Sequence, residues 1–251
     1  MVALYSLISV VGVSLLSLLG ILFFVIEEKR IRTSLLYIVS FSTGALLGDV
    51  FMHILPDLAE NKDLFPQSLM IVLGGIVFSF AVEKIIHWRH CHVFPDDHGG
   101  HDHDHAVGIM SLMAESMHNF IDGIVIAASF LAGTRIGFAT TLAVMFHEIP
   151  HEIGNFAVLL HSGFTKRKAL VFNVLSATSA IVGAIIVILA SRSFEGFTSS
   201  LLPFAAGNLL YIAGSDLIPE LHKQTLLRQG VLQLIGMICG MGFMYMMVFF
   251  G

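Results

Sequence analysis

Two short runs of residues carry the chemistry of this chain. The first holds Glu115, His118, Asn119 and Asp122; the second holds His147, Glu148, His151, Glu152 and Asn155. At about 100° per residue on a helix, the first set falls on an arc roughly 100° wide and the second on one of roughly 140°. Each run therefore presents a single polar stripe. Imidazole nitrogens and carboxylate oxygens arranged in this way suit a borderline divalent cation such as zinc, and bias a site toward zinc, cadmium or iron over magnesium and calcium. Glu115 and Glu152 lie at the edges of their stripes. There they serve either as further ligands or as hydrogen-bond partners that orient the ligands.

The elements that position these stripes are apolar. Of the 251 residues 56% are hydrophobic and 12% charged, and the mean hydropathy is +0.85. Soluble domains carry about a quarter charged residues. The composition therefore points to an all-α polytopic membrane protein with the lipid bilayer as its surroundings. Ionisable groups are costly in hydrocarbon, so the stripes must face a protein interior or a water-filled path. A net charge of −5 without a basic patch excludes a nucleic-acid partner. Cys91 and Cys239 give neither a disulfide framework nor a CxxC pair. The first apolar run has no cationic start and no small-residue cleavage site, which reads as a retained span rather than a signal peptide.

A ruler of about 20 apolar residues marks eight transmembrane helices, at 4–26, 34–56, 67–87, 107–132, 134–161, 168–191, 201–221 and 229–250. The link between the fourth and fifth is so short that they must form an antiparallel hairpin, bringing the stripes together. Ten of the 13 basic residues lie in the connections after spans 1, 3, 5 and 7. The positive-inside rule then places those connections in the cytoplasm and both termini outside. Residues 41–58, FSTGALLGDVFMHILPDL, align without gaps to 204–221, FAAGNLLYIAGSDLIPEL. His53 falls opposite Asp216, and the two spans run in opposite directions, the mark of an inverted repeat.

His147-Glu148-Ile149-Pro150-His151 also matches HExxH, in which two histidines bind zinc and the glutamate activates water. An intramembrane zinc metalloprotease is therefore one alternative function, and a non-transporting membrane metal sensor another. Pro150 weighs against the protease. Proline lacks an N–H and crowds the carbonyl four residues back, here that of Phe146. A kink is expected, with a freed carbonyl that a cavity can satisfy and lipid cannot. On the sixth span, Asn173 and Ser176 either complete coordination or join helices by hydrogen bonds. Asp49, His53 and Asp216 mark a pathway to or from the stripes, whereas Asp57 and Glu220, after prolines near span ends, read as interfacial. The stretch 88–106 is a histidine-rich cytoplasmic loop between helices 3 and 4. Its His90, His92, His98, His101, His103 and His105 suit metal capture, with affinity falling as imidazole protonates.

HNFIDG at 118–123 and HEIPHE at 147–152 resemble the fourth- and fifth-helix motifs of the ZIP (Zrt/Irt-like) family of divalent metal transporters, in the branch that carries HExPHE. SFSTGALLGDVFMHILPD and PFAAGNLLYIAGSDLIPE are similar to that branch's second and seventh helices. The resemblance covers nearly the whole chain, taken as one transporter domain, 1–251. It implies inverted repeats of helices 1–3 and 6–8 around a central pair, helices 4–5, and a homodimer as a frequent assembly. It implies a metal site of His118, Asn119, Asp122, His147, Glu148 and His151, mononuclear or binuclear, with Asn173 as a further contributor. Asn155 departs from the branch, whose members often carry Asp there, which removes a charge near the site. The expected function is import of zinc, with Cd(2+), Fe(2+) and Mn(2+) as other cargoes, into the cytoplasm by alternating access, with no catalytic cofactor. The compact form suggests the plasma membrane of a prokaryote.

Overall fold

A computed structural model describes the backbone of residues 1–24, 26, 28–92, 100–191, 197–223 and 226–249. The described residues form helices and no strands. They are α1 (Val2–Ser14), continued by a 3₁₀ stretch (Leu15–Phe24), α2 (Glu28–Asp49), a π-helical turn (Val50–Ile54), α3 (Leu55–Glu60), α4 (Phe65–His92), α5 (Gly100–Ala132) and α6 (Thr134–His161). There follow α7 (Lys166–Ala177), α8 (Ser179–Ala190), α9 (Phe197–Tyr211), a second π-helical turn (Ile212–Leu217), α10 (Ile218–His222) and α11 (Leu227–Met247). The side chains of His90, His92, His98, His101, His103 and His105 lie outside the described residues.

Six segments are long and apolar enough to cross a membrane: Val2–Leu22, Tyr37–Glu60, Phe65–Ile85, Lys166–Ala190, Ser200–His222 and Leu227–Met247. Each lies within a few residues of an expected span. The chain is thus a polytopic helical membrane protein. α5 and α6, of 33 and 28 residues, also exceed the roughly 20 residues that a bilayer requires. They differ from the six in carrying the polar stripes, which lower their hydropathy. Gly133 alone separates them, and they pack as the expected antiparallel hairpin.

Close helix contacts hold this bundle together. α2 packs on α11 and α4 on α9, and glycine sets both distances. A Cβ on Gly44 would run into the carbonyl of Met237, and one on Gly240 into that of Phe41; Gly75 and Gly207 stand likewise against the carbonyls of Phe204 and Val72. In lipid, apolar side chains gain little by leaving their surroundings, so close backbone approach at small residues is what drives association. Gly44 and Gly207 are the aligned glycines of 41–58 and 204–221.

The same two segments share a backbone irregularity. In each, one turn widens ahead of a proline, Pro56 or Pro219, so that Leu55 N–H bonds to Val50 O and Ile218 N–H to Ala213 O. Proline removes one rung of the helical ladder and crowds the carbonyl four residues earlier, and a π turn relieves both.

Candidate metal centre

α5 and α6 bring four ligand atoms together, from His118, Asp122, His147 and Glu148, all within 4.8 Å of one another. His147 Nε2 lies 3.1 Å from Asp122 Oδ2, 3.4 Å from His118 Nε2 and 3.5 Å from Glu148 Oε1. His118 Nε2 lies 3.2 Å from Glu148 Oε1 and 3.8 Å from Asp122 Oδ2. Donors held about 2.0–2.1 Å from one tetrahedral ion stand roughly 3.3–3.4 Å apart. The spacing therefore fits a single zinc-sized ion in the middle of the four.

The surroundings call for a cation. Asp122, His147 and Glu148 are buried. Both Asp122 carboxylate oxygens and Glu148 Oε1 have no hydrogen-bond partner among the described residues. Buried carboxylates left in that condition are expensive, and a bound metal ion offsets both their charge and their empty lone pairs. Asn119 lies beside them. Its Nδ2 donates to the Glu115 carbonyl (3.1 Å) and Oε1 (3.2 Å), and its own Oδ1 is buried without a hydrogen-bond partner among the described residues.

His151, which the motif groups with His147, is engaged elsewhere. Its ring stacks on His118, with centroids 4.2 Å apart and planes 8° from parallel. Its Nδ1 meets the Glu115 carboxylate at 3.0 Å to Oε2 and 3.2 Å to Oε1. The two motif histidines thus do not point at one ion as an HExxH protease requires, and Glu148 belongs to the cluster instead of standing clear as a base. Glu115, Glu148 and Glu152 form a second group of close ligand atoms beside the first.

A hydrogen-bond chain closes the far side of that second group. Ser111 Oγ donates to Asn155 Oδ1 (2.7 Å), Asn155 Nδ2 to Asn173 Oδ1 (2.7 Å), and Asn173 Nδ2 to Glu152 Oε2 (2.5 Å). Asn155 therefore does more than remove a charge, because the chain needs its amide N–H and an aspartate could not supply it. Ser176 Oγ donates to the carbonyl of Asn173 in its own helix.

Three contacts absent from the sequence reading hold the centre in place. α6 keeps its helical backbone through Pro150, and the freed Phe146 carbonyl is met by a side chain. It accepts from Ser42 Oγ of α2 at 2.5 Å, a hydroxyl that also reaches Ile38 O at 2.8 Å. The Phe146 ring lies edge-on to Phe41 and Phe243, with centroids at 4.7 and 5.5 Å. Gly123, which ends the HNFIDG motif, lets α5 approach the Ala180 carbonyl of α8 too closely for any Cβ. Of these, Pro150 announced the need for a donor; nothing in the sequence named Ser42, 104 residues away.

The residues expected to mark a pathway differ in exposure. Asp216 is exposed and within electrostatic reach of His118 and His151, the two histidines of the centre that are accessible, at 15% and 31%. Asp49 and His53 are buried.

Comparison with known proteins places this sequence in a family. The model of a family described as ZIP zinc transporter matches residues 1–109 and 89–248. Zinc transporter zipt-7.1 of Caenorhabditis briggsae is 32% identical, over 96% of this chain and 78% of its own. Zinc transporter YKE4 of Saccharomyces cerevisiae is 32% identical over 96% and 80%, and the zinc transporter ZIP13 homolog of Drosophila melanogaster 30% over 88% and 78%. These relatives are eukaryotic and lend nothing to the expectation of a prokaryotic membrane.

Proposed function

The chain belongs to the ZIP family of zinc transporters, and we propose that it carries zinc into the cytoplasm through the cluster of His118, Asp122, His147 and Glu148. The observation that carries this reading is the close approach of four donors, in which both Asp122 carboxylate oxygens and Glu148 Oε1 have no hydrogen-bond partner among the described residues. Members of the family are named as transporters and not as enzymes, and the diversion of His151 to Glu115 speaks against hydrolysis as well. Asn119 and His151 stand next to the ion and exchange with it as it moves. Glu115 and Glu152, with Asn155 and Asn173 behind them, receive it next. Cadmium, iron and manganese are the competing cargoes, since imidazole with carboxylate discriminates weakly among them.

Eight spans follow when α5 and α6, whose stripes face inward, are added to the six apolar segments. The inverted repeat of helices 1–3 and 6–8 is supported by the matched π turns, by the aligned Gly44 and Gly207, and by the matched packing of α2 on α11 and α4 on α9. Rocking of these two groups about α5 and α6 would expose the centre to one side at a time. The exposed Asp216 and the buried Asp49 and His53 suit a state open on the Asp216 side, which the distribution of basic residues makes cytoplasmic. The histidines of 88–106 then collect the released ion. A homodimer and extracytoplasmic termini belong to the same reading.

Purified protein in liposomes tests it. Saturable zinc uptake down a gradient, lost in His147→Ala, is expected. Tight zinc binding without flux under any gradient would make the protein a sensor and overturn the transport reading.

A further inference from the structure

A groove opens at the surface of the bundle, on a face of α6 that the polar stripe does not occupy. It has a volume of about 430 Å³ and is walled by Ser9 and Gly12 of α1, by α6 from Arg135 to Met145, and by Met247 of α11. Arg135, Phe138, Leu142 and Met145 recur every three or four residues and so share one side of the helix. From Arg135 to Met145 that side climbs about 15 Å, half of the roughly 30 Å hydrocarbon core. The groove therefore has the depth of one leaflet.

Charge is confined to its mouth. Arg135 lies in the first turn of α6, two residues after Gly133, the link to α5, and therefore at the membrane surface. It is exposed, and no ion pair or hydrogen bond of its side chain is found among the described residues. Gly133 caps α6 without a side-chain hydrogen bond, so the positive end of the helix adds to the guanidinium charge. Deeper in, the Thr141 hydroxyl is already donated to Gly137 O at 2.6 Å. The Phe138 ring is held by Tyr5 and Phe130, with centroids at 5.8 and 5.2 Å, which makes this wall firm. Gly12 keeps the groove open. A Cβ there would meet nothing within 4 Å, although glycine inside a helix is less favourable than alanine.

We propose that this groove binds one anionic phospholipid from the leaflet on the Gly133 side, with an acyl chain between α1 and α6 and the phosphate on Arg135. The apolar walls exclude water and admit a hydrocarbon chain, and the unpaired guanidinium selects a negative head group. Lipid binding here needs no metal and does not rest on the transport reading. Its consequence for the centre is mechanical, because the lipid braces the helix that carries His147 and Glu148.

Native mass spectrometry of the detergent-purified protein is the test, with dioleoyl phosphatidylglycerol and dioleoyl phosphatidylcholine titrated separately. The wild type is expected to take up one phosphatidylglycerol in preference to phosphatidylcholine. Arg135→Gln should weaken that first phosphatidylglycerol about fivefold, the effect of one basic residue near an anionic membrane surface, and leave phosphatidylcholine unchanged. Gly12→Phe, whose ring projects into the open space, should abolish the adduct together with the rise in melting temperature that phosphatidylglycerol gives the wild type. Lys62→Gln, which removes an exposed cation outside the groove, should behave as the wild type. A Gly12→Phe protein that keeps the adduct overturns the proposal, as does Arg135→Gln protein that binds phosphatidylglycerol as tightly as the wild type. Equal losses in Lys62→Gln and Arg135→Gln overturn it too, since attraction to surface charge alone would then explain the binding. Should Gly12→Phe fail to fold, the surface change Arg135→Gln decides by itself.

Discussion

In the proposed centre, removing His147 or Asp122 takes a donor from the ion itself, whereas removing Glu115 takes only the partner of His151 and of Asn119. The two kinds of change should separate in magnitude. Loss of an orienting partner costs about 10–100-fold in metal affinity, so Glu115→Gln is expected within that range, and His147→Ala and Asp122→Asn beyond it. Competition with a chelating dye measures all three; equal effects would place Glu115 on the metal. Asn155→Asp tests the hydrogen-bond chain. It removes the donor to Asn173 and should destabilise the protein by about 1–3 kcal/mol in thermal unfolding. At this scale the sequence was informative about which residues meet and less so about what each does. His118, Asp122, His147 and Glu148 follow from helical spacing on two adjoining helices, a local property. The diversion of His151 depends on Glu115, 36 residues away, and on stacking between rings, neither of which a one-dimensional pattern encodes.

Helices were legible where composition decides them and illegible where a single tertiary contact does. Six spans follow from apolar length alone, and α5 and α6 follow from length together with the period of their polar residues. The accommodation of Pro150 does not. Proline predicts a free carbonyl, and the structure supplies Ser42 to meet it. Ser42→Ala leaves the Phe146 carbonyl buried beside His147 without a side-chain donor, at an expected cost of about 1–3 kcal/mol. Because Phe146 adjoins a proposed ligand, zinc affinity should fall as well, while Ser176→Ala, whose hydroxyl donates to the Asn173 carbonyl within α7, should leave affinity unchanged. A Ser42→Ala protein as stable as the wild type would show that the Phe146 carbonyl finds another donor. Gly123→Ala is the matching test on α5, since its methyl must displace the Ala180 backbone; a lower melting temperature is expected.

For the molecule as a whole, the aligned segments 41–58 and 204–221 are expected to mark two related halves, and each of the two segments carries a π turn and a close-contact glycine. The proposed rocking of these halves requires that the α2–α6 contact, sealed by Ser42 and by the Phe41–Phe146 edge, opens in one state. A reversible cross-link between α2 and α6 is therefore expected to stop flux while zinc remains bound. Flux through the cross-linked protein would refute rigid-body alternation. Zinc should also stabilise the fold, by about 2.7 kcal/mol at 100 times its dissociation constant, and the gain should vanish in a protein lacking all four central donors.

The measurement closest to the central claim is the zinc K-edge X-ray absorption spectrum of the protein loaded with one equivalent of zinc. Four nitrogen and oxygen donors at about 2.0–2.1 Å are predicted, with outer scattering from two imidazole rings that falls to one in His147→Ala. A six-oxygen shell without imidazole scattering, or a spectrum that His147→Ala does not change, would contradict the assignment of the cargo to this cluster.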